Sequence, residues 1–165
     1  MKTCQKILGI DPGLATVGLG LEKVSGSREP TVVEWLTIET KSGSPMSDRL
    51  EEISRNLHDY LEETNPDLCV IEKLFFSTNV KTAMQVAQVR GVILLTVGKR
   101  QIPVLEPNPL TLKACITGDG HADKRQMQDM LCRILHLDEL PKPDDAADAL
   151  ALAVFGALQR SALHE

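Results

Sequence analysis

Apolar and polar positions alternate along the first ~40 residues in the way that β-strands require. Residues 5–10 form a mostly apolar run, residues 17–24 alternate small or polar with apolar side chains, and residues 31–39 are rich in β-branched types. The stretch 25–30 is turn-forming sequence. Because the connections are short, the pattern predicts an antiparallel meander of three strands.

The apolar spacing changes to a helical period after residue 44. Ser44 and Pro45 are predicted as the N-cap and the first residue of a helix that ends before Asn65-Pro66. Beyond it the pattern predicts a strand, a helix, a strand and three helices, at 68–72, 79–98, 102–106, 109–115, 123–136 and 144–160.

This order of elements predicts an α/β fold with an RNase H-like, mixed five-stranded sheet of three antiparallel plus two parallel strands, flanked by helices. The 165 residues are expected to form a single domain, 1–165. In that topology the first and fourth strands are parallel neighbours, and open sheets bind ligands at the carboxyl ends of their strands.

Four carboxylates lie where predicted elements begin or end. Asp11 closes the first strand and Glu72 the fourth, while Asp145 and Asp148 lie three residues apart on one face of the last helix. Like charges gathered in this way repel one another unless a cation lies among them, and hard divalent metals prefer oxygen ligands. The four acids therefore indicate metal-dependent phosphoryl chemistry.

Most of these acids also have an ordinary structural explanation when taken alone. Asp11-Pro12-Gly13 is a strong turn sequence, and acids in the first turn of a helix are favoured by the helix dipole. Asp144 is predicted to cap the last helix and is therefore left out of the site. Glu72 is more unusual, because an acid that closes a buried apolar run needs a partner, a proton or a metal.

Charge is distributed unevenly along the chain, whose net charge is −5. Residues 48–72 carry eight acids and two bases, whereas residues 73–105 carry five bases and no acid. This predicts a basic side, including Lys73, Lys81 and Arg90, that is compatible with phosphate binding; ordinary solvated faces are the alternative.

Composition narrows the class of protein. The sequence shows no hydrophobic leader and no apolar run of membrane-spanning length, so it predicts a cytoplasmic protein with no membrane partner. The four cysteines lack C-x-x-C spacing, which argues against a zinc site.

Two further segments are candidates for nucleic-acid contact. Lys113 and Lys124 flank a loop with Gly118 and Gly120, where glycines permit close approach to a phosphate and a lysine supplies a point charge. Exposed lysines commonly have no specific partner, so both explanations stay open at this point.

Phe75 and Phe76 follow the fourth strand directly. Adjacent residues of an extended segment face opposite sides, so one is expected in the core and the other, favoured as Phe75, is expected to stack on an unpaired base. The next helix, 79–98, is apolar around its whole circumference from Gly91 to Val97. Such a helix is typical of a core element or of a subunit interface.

Taken in order, these segments resemble the RuvC-type Holliday junction resolvases, from about Ile7 to Ala157. The matching motifs are Leu8 to Gly13 with Gly18 and Gly20, Ile71-Glu72 with Phe75, Asn79 with Ala87 to Gly91, Lys113 to Lys124, and Asp145 to Ala151. The resemblance implies an RNase H-like endodeoxyribonuclease that acts as a homodimer on four-way junction DNA. It also implies a role in homologous recombination and DNA repair, with a branch-migration helicase complex as partner.

The resemblance assigns roles to individual residues. It implies four metal-binding catalytic acids and two catalytic lysines: Asp11, Glu72, Asp145, Asp148, Lys113 and Lys124. DNA contacts are expected from the aromatic pair, the basic side and the glycine loop: Phe75, Phe76, Lys73, Lys81, Gly118 and Gly120. The helix 79–98 is implied in the dimer interface. The chain departs from the family after the fifth strand, where Glu106-Pro107-Asn108 replaces a frequent aromatic.

The mechanism that follows is phosphodiester hydrolysis by two Mg²⁺ ions, with Mn²⁺ as a substitute, leaving 5′-phosphate ends. Asp11 is expected to bridge the two ions. Three alternatives remain: an RNase H-like nuclease acting on structured RNA, a non-catalytic junction-binding module, and an actin-like ATP-binding protein. The last is disfavoured because 165 residues are too few for its usual two lobes.

Overall fold

Five strands and five helices form the protein in this computed structural model, which describes residues 4–25, 29–74 and 80–162. The strands are β1 Cys4–Asp11, β2 Thr16–Ser25, β3 Pro30–Glu39, β4 Leu68–Ile71 and β5 Val104–Leu105. The helices are α1 Met46–Thr64, α2 Val80–Lys99, α3 Pro109–Thr117, α4 Lys124–Leu135 and α5 Asp144–Ala162.

The strands form one mixed sheet in the order β3-β2-β1-β4-β5. The meander β1–β2–β3 is antiparallel, whereas β4 pairs in parallel with β1 and β5 in parallel with β4. The predicted RNase H-like α/β fold is therefore confirmed. Several predicted element ends are wrong: β4 ends at Ile71 rather than at residue 72, β5 is shorter than 102–106, and Pro45 rather than Ser44 is the cap residue of α1. The Pro45 carbonyl accepts the amide hydrogens of Asp48 and Arg49.

Two apolar cores lie on opposite faces of the sheet. Because successive residues of a strand face opposite sides, Leu8 and Ile10 pack with residues of α1 and α2, and Ile7 packs on the other side with residues of α3, α4 and α5. Val70 of β4 faces the same side as Ile7. In the part of the chain that the structure describes, no helix is long and apolar enough to span a bilayer.

Helix α5 lies unusually close to the sheet. A Cβ atom added to Gly9 would lie 1.8 Å from the Ala149 carbonyl oxygen, and one added to Gly18 would lie 2.0 Å from the Asp145 carbonyl oxygen. Only glycine leaves room for this approach of two backbones. The glycines of β1 and β2 therefore fix where the first turns of α5 lie.

Glu22 is a fully buried acid in the second core. Its neighbours on the adjacent strands are Ile7 of β1 and Val32 of β3, and neither carboxyl oxygen has a hydrogen-bond partner. Burial raises its pKa well above the usual value, so the side chain folds in its protonated form. Such a group costs stability without an evident compensating contact.

Substitution of Glu22 should therefore stabilise the fold in a pH-dependent way. The raised pKa means that the contribution of Glu22 to stability is most favourable below about pH 4.5 and is lost as pH rises toward the folded-state pKa. Glu22→Leu is expected to raise the free energy of unfolding by about 1–3 kcal/mol near pH 8, and less near pH 5. Urea unfolding at both pH values measures this, with Glu22→Gln as the isosteric control that removes only the titration. The prediction would be contradicted if Glu22→Leu lowered the free energy of unfolding at pH 8, or raised it no more at pH 8 than at pH 5.

Candidate active site

Asp11 and Glu72 lie side by side at the carboxyl ends of the neighbouring strands β1 and β4. Their preceding residues, Ile10 and Ile71, are directly paired on the parallel strands β1 and β4. Strand alternation places Asp11 on the same face as Ile7, and Glu72 follows on the face of Val70, which is the face that α5 covers. The two acids therefore meet between the end of the sheet and the start of α5.

Asp145 and Asp148 reach this point from α5. Gly18, the residue paired with Asp11 in the β1–β2 ladder, is also the residue against which the Asp145 backbone packs. Asp148 is one turn later and lines the same cleft as Asp11 and Glu72. The close approach of α5 to β2 thus brings acids from three separate segments together.

The acids act on one another electrostatically. Burial, and then the charges of Asp148, Asp145 and Glu72, raises the pKa of Asp11 to about 8. Burial and Asp148 also raise the pKa of Glu72, and the Lys113 ammonium partly offsets this. At neutral pH without a cation, Asp11 is therefore mainly protonated, and a cation would replace that proton.

The cleft beside these acids has a volume of about 240 Å³. Its polar lining includes Asp11, Glu72, Asp148, Lys113 and Lys124. Apart from Gln128, the remaining wall is apolar and comes mainly from α3, α4 and α5. The structure thus brings both predicted lysines to the same cleft as three of the four predicted acids.

Lys124 is the first residue of α4, after the capping box formed by Asp123 and Gln126. Its ammonium donates to the carboxylate of Asp144, and the hydrogen bond and charge of Asp144 raise the pKa of Lys124. The prediction that Asp144 caps α5 is wrong, because Asp144 is the first residue of that helix. Pro143 precedes it and supplies the carbonyl that accepts from the Ala146 amide.

The donor chemistry of the site fits a hard divalent cation, since its four carboxyl side chains offer only oxygen ligands. Within the described ranges, no three acidic, histidine or cysteine side chains converge closely enough to hold one ion between them. The carboxylates would therefore have to turn toward a bound ion.

The predicted contact residues that the structure describes do not line the cleft. Gly118 ends α3 in a left-handed conformation, with φ of 83°, and Gly120 lies in the same loop; neither lines the cleft. Lys73 and Lys81 are exposed. Phe75 and Phe76 lie outside the described residues, so their roles stay predictions.

Sequence reasoning missed one pair of residues near the site. Arg90 was assigned to the basic side, but its side chain is only 16% exposed and forms an ion pair with Glu106. Its guanidinium Nε also donates to the Glu72 carbonyl oxygen at 3.1 Å. The available signal was a lone arginine between Val89 and Gly91 in an apolar helix.

An RNase H-like sheet with carboxylates at the ends of β1 and β4 and on the final helix defines a nuclease of the RNase H-like class. The comparisons narrow this class. The family model described as "Crossover junction endodeoxyribonuclease RuvC" matches residues 7–156. The chain belongs to this family, which implies dependence on a divalent metal.

Similar proteins cover nearly the whole chain. The crossover junction endodeoxyribonuclease RuvC of Thermotoga petrophila is 46% identical over 157 residues, which are 95% of this chain and 94% of that protein. The RuvC of Synechococcus sp. (strain WH7803) is 43% identical over 94% of this chain and 99% of its own length. The structure of T. thermophilus RuvC in complex with Holliday junction substrate has a TM-score of 0.88 and 29% identity, covering 94% of each chain.

Proposed function

We propose that this protein is a structure-selective endonuclease that resolves four-way (Holliday) DNA junctions by paired symmetric nicks. It would act in homologous recombination and DNA repair, in the cytoplasm, with residues 1–165 as one nuclease domain. The observation that carries the proposal is the meeting of four acids where β1, β4 and α5 come together in a chain of the RuvC family.

Asp11, Glu72, Asp145 and Asp148 would hold two Mg²⁺ ions, for which Mn²⁺ would substitute. Bound metal supplies an activated water and charge stabilisation for phosphodiester hydrolysis that leaves 5′-phosphate ends. Asp11, whose pKa burial and the neighbouring acids raise to about 8, would give up its proton on binding metal.

The two lysines supply the positive charge of the cleft. Lys113 partly offsets the pKa shift of Glu72, which favours the anionic, metal-binding form of that acid. Lys124 is held beside the first turn of α5 by Asp144. In the proposed complex both lysines lie close enough to the scissile phosphate to neutralise charge that develops in the transition state.

A homodimer formed through α2 would account for paired nicks. One face of α2 packs on α1, where Ser54 and Thr96 share a hydrogen bond. The opposite face exposes small and apolar residues at helical spacing: Val80, Met84, Ala87, Gly91, Leu95 and Gly98. We call this row the α2 stripe. A two-fold axis along it would present two equivalent sites to two strands of a junction.

The proposed DNA contacts come from four segments. They are the lysine that follows Glu72, the aromatic pair after it, the lysine at the start of α2 and the glycine loop after α3: Lys73, Phe75, Phe76, Lys81, Gly118 and Gly120. Lys73 and Lys81 are exposed, as phosphate contacts require. A branch-migration helicase complex is the proposed partner that brings junctions to the enzyme.

Nicking of a mobile four-way DNA junction tests this function. With Mg²⁺, the protein is expected to cut two opposing strands at equivalent positions and to leave nicks that DNA ligase seals. Linear duplex of the same sequence and structured RNA should be cut at least about tenfold more slowly, and EDTA should abolish all cutting. Preferred cutting of the RNA would favour the RNA-acting alternative, and binding without cutting would favour the non-catalytic module.

A further inference from the structure

Glu72 lies outside the regular part of the sheet. Strand β4 ends at Ile71, and β5 is paired with β4 only through Val104 and Leu105. Asp11, by contrast, is the last residue of β1 and is still paired with Gly18 of β2. Glu72 therefore needs support from groups that do not belong to the strand ladder.

Arg90 and the segment after β5 supply that support. The Arg90 Nε donates to the Glu72 carbonyl oxygen at 3.1 Å, and one terminal nitrogen of the same guanidinium donates to the Glu106 carboxylate. The Lys73 amide, which belongs to the same peptide unit as the Glu72 carbonyl, donates to the Pro107 carbonyl oxygen at 2.8 Å. Both polar groups of the Glu72–Lys73 peptide, which directly follows the Glu72 Cα, are thereby held in place.

The guanidinium is well suited to this arrangement. Its donors lie in a rigid plane, so one side chain can hold the Glu72 carbonyl and the Glu106 carboxylate in a fixed relative position. The Arg90 side chain is only 16% exposed, which limits competition from water at the guanidinium, whereas the Glu106 side chain is exposed. A lysine could pair with Glu106 but has no second donor in a fixed orientation.

We propose that Arg90 and Glu106 form a positioning pair that fixes the Glu72 carboxylate for metal binding. The inference rests on the proposed function, because it assumes that Glu72 is a metal ligand. Neither residue touches the reacting atoms in this proposal. They act through the backbone of Glu72, as groups behind a metal ligand commonly do.

Metal affinity measured without DNA is the first test. Calorimetric titration with Mn²⁺ is expected to show binding about 10–100-fold weaker in Arg90→Gln and Glu106→Gln than in the wild type. Arg90→Lys should recover part of the loss, because it keeps the ion pair and loses the fixed fork. Arg55→Gln is the matched control, since Arg55 forms an exposed i,i+4 pair with Glu51 on α1.

Junction nicking at varied Mg²⁺ is the second test. The half-saturating Mg²⁺ concentration should rise with the loss of affinity, while nicking at saturating Mg²⁺ falls much less. A purely structural role would lower the thermal midpoint, and it would lower the nicking rate by the same fraction at every Mg²⁺ concentration. That result would overturn the proposal. Glu106→Gln keeps the test available if Arg90→Gln does not fold.

The two proposals fail in different ways. If wild-type protein binds Mn²⁺ but does not nick junctions, and Arg90→Gln weakens that binding, the function is wrong and the positioning pair stands. If wild-type protein nicks junctions and both variants bind Mn²⁺ within about twofold of it, the positioning pair alone is wrong.

Discussion

Asp11→Asn is expected to reduce Mg²⁺-dependent nicking of a four-way junction at least about 1,000-fold, a loss of ~4 kcal/mol of transition-state stabilisation. The amide keeps the shape of the side chain but removes the anion from the most buried position of the acid cluster. Junction binding in EDTA should change less than about threefold, because the DNA contacts proposed above do not include Asp11. Single-turnover gels and a binding titration measure the two effects separately.

The same substitution is expected to stabilise the metal-free protein. The pKa of Asp11 is raised to about 8 in the folded state, so the wild type loses stability as pH rises from about 4 to about 8. Asn carries no charge and escapes this loss. The thermal midpoint in EDTA at pH 8 should rise by about 3 °C, the shift that ~1 kcal/mol produces in a chain of this size. The rise should shrink near pH 5.

Asp59→Asn, at an exposed position on α1, is the matched control for both measurements. It removes one acid without touching the cluster, so nicking and pH dependence should stay near wild-type values. Cleavage by Asp11→Asn within about tenfold of wild type would refute the role assigned to Asp11. A midpoint that falls in EDTA would refute the electrostatic account of the cluster.

Leu95→Glu is expected to break the proposed dimer. Leu95 is 60% exposed on the α2 stripe, so a glutamate is tolerated in the monomer but would bury two charges across a two-fold axis. The dissociation constant of the dimer should rise at least about 30-fold, which corresponds to the loss of a hot spot of ~2 kcal/mol. Sedimentation equilibrium measures this change in the dissociation constant. In a junction-cleavage assay, the two nicks on one junction should no longer occur together but independently of each other.

Leu110→Glu is the matched control, because Leu110 is 55% exposed and belongs to α3 rather than to the α2 stripe. Gly91→Ala is a second test of the dimer, in which the stability of the monomer and the strength of association should change in opposite directions. A Cβ at Gly91 meets nothing within 4 Å, so in a monomer alanine should stabilise α2 by up to ~1 kcal/mol. If Gly91 lies at a close helix–helix contact, the same change should weaken association. Wild-type protein that stays monomeric at micromolar concentration with junction DNA present would refute the dimer.

Local chemistry explains how much of the fold was predictable. The order of strands and helices follows from apolar periods and turn residues, which act within a few positions of one another. The same signals placed Asp11 and Glu72 at strand ends and Asp145 and Asp148 on one helix face. The resemblance to a known family added Lys113 and Lys124, whose placement at the cleft no spacing rule predicts.

Long-range packing decided the rest. The partner of Lys124 turned out to be Asp144, 20 residues away, and Arg90 was found to pair with Glu106 rather than lie free for DNA. The burial of Glu22 likewise follows from α-helical cover on one face of the sheet, which its strand pattern does not reveal.

The sequence by itself thus determined the class of fold and the acids that suit a metal. Only the tertiary structure decided that these acids come together and that three of them line one cleft. The physical reason is the approach of α5 to the sheet, where Gly9 and Gly18 let two backbones come within a distance that any side chain would forbid. Whether separated charges perturb one another depends on that distance, and a linear sequence does not contain it.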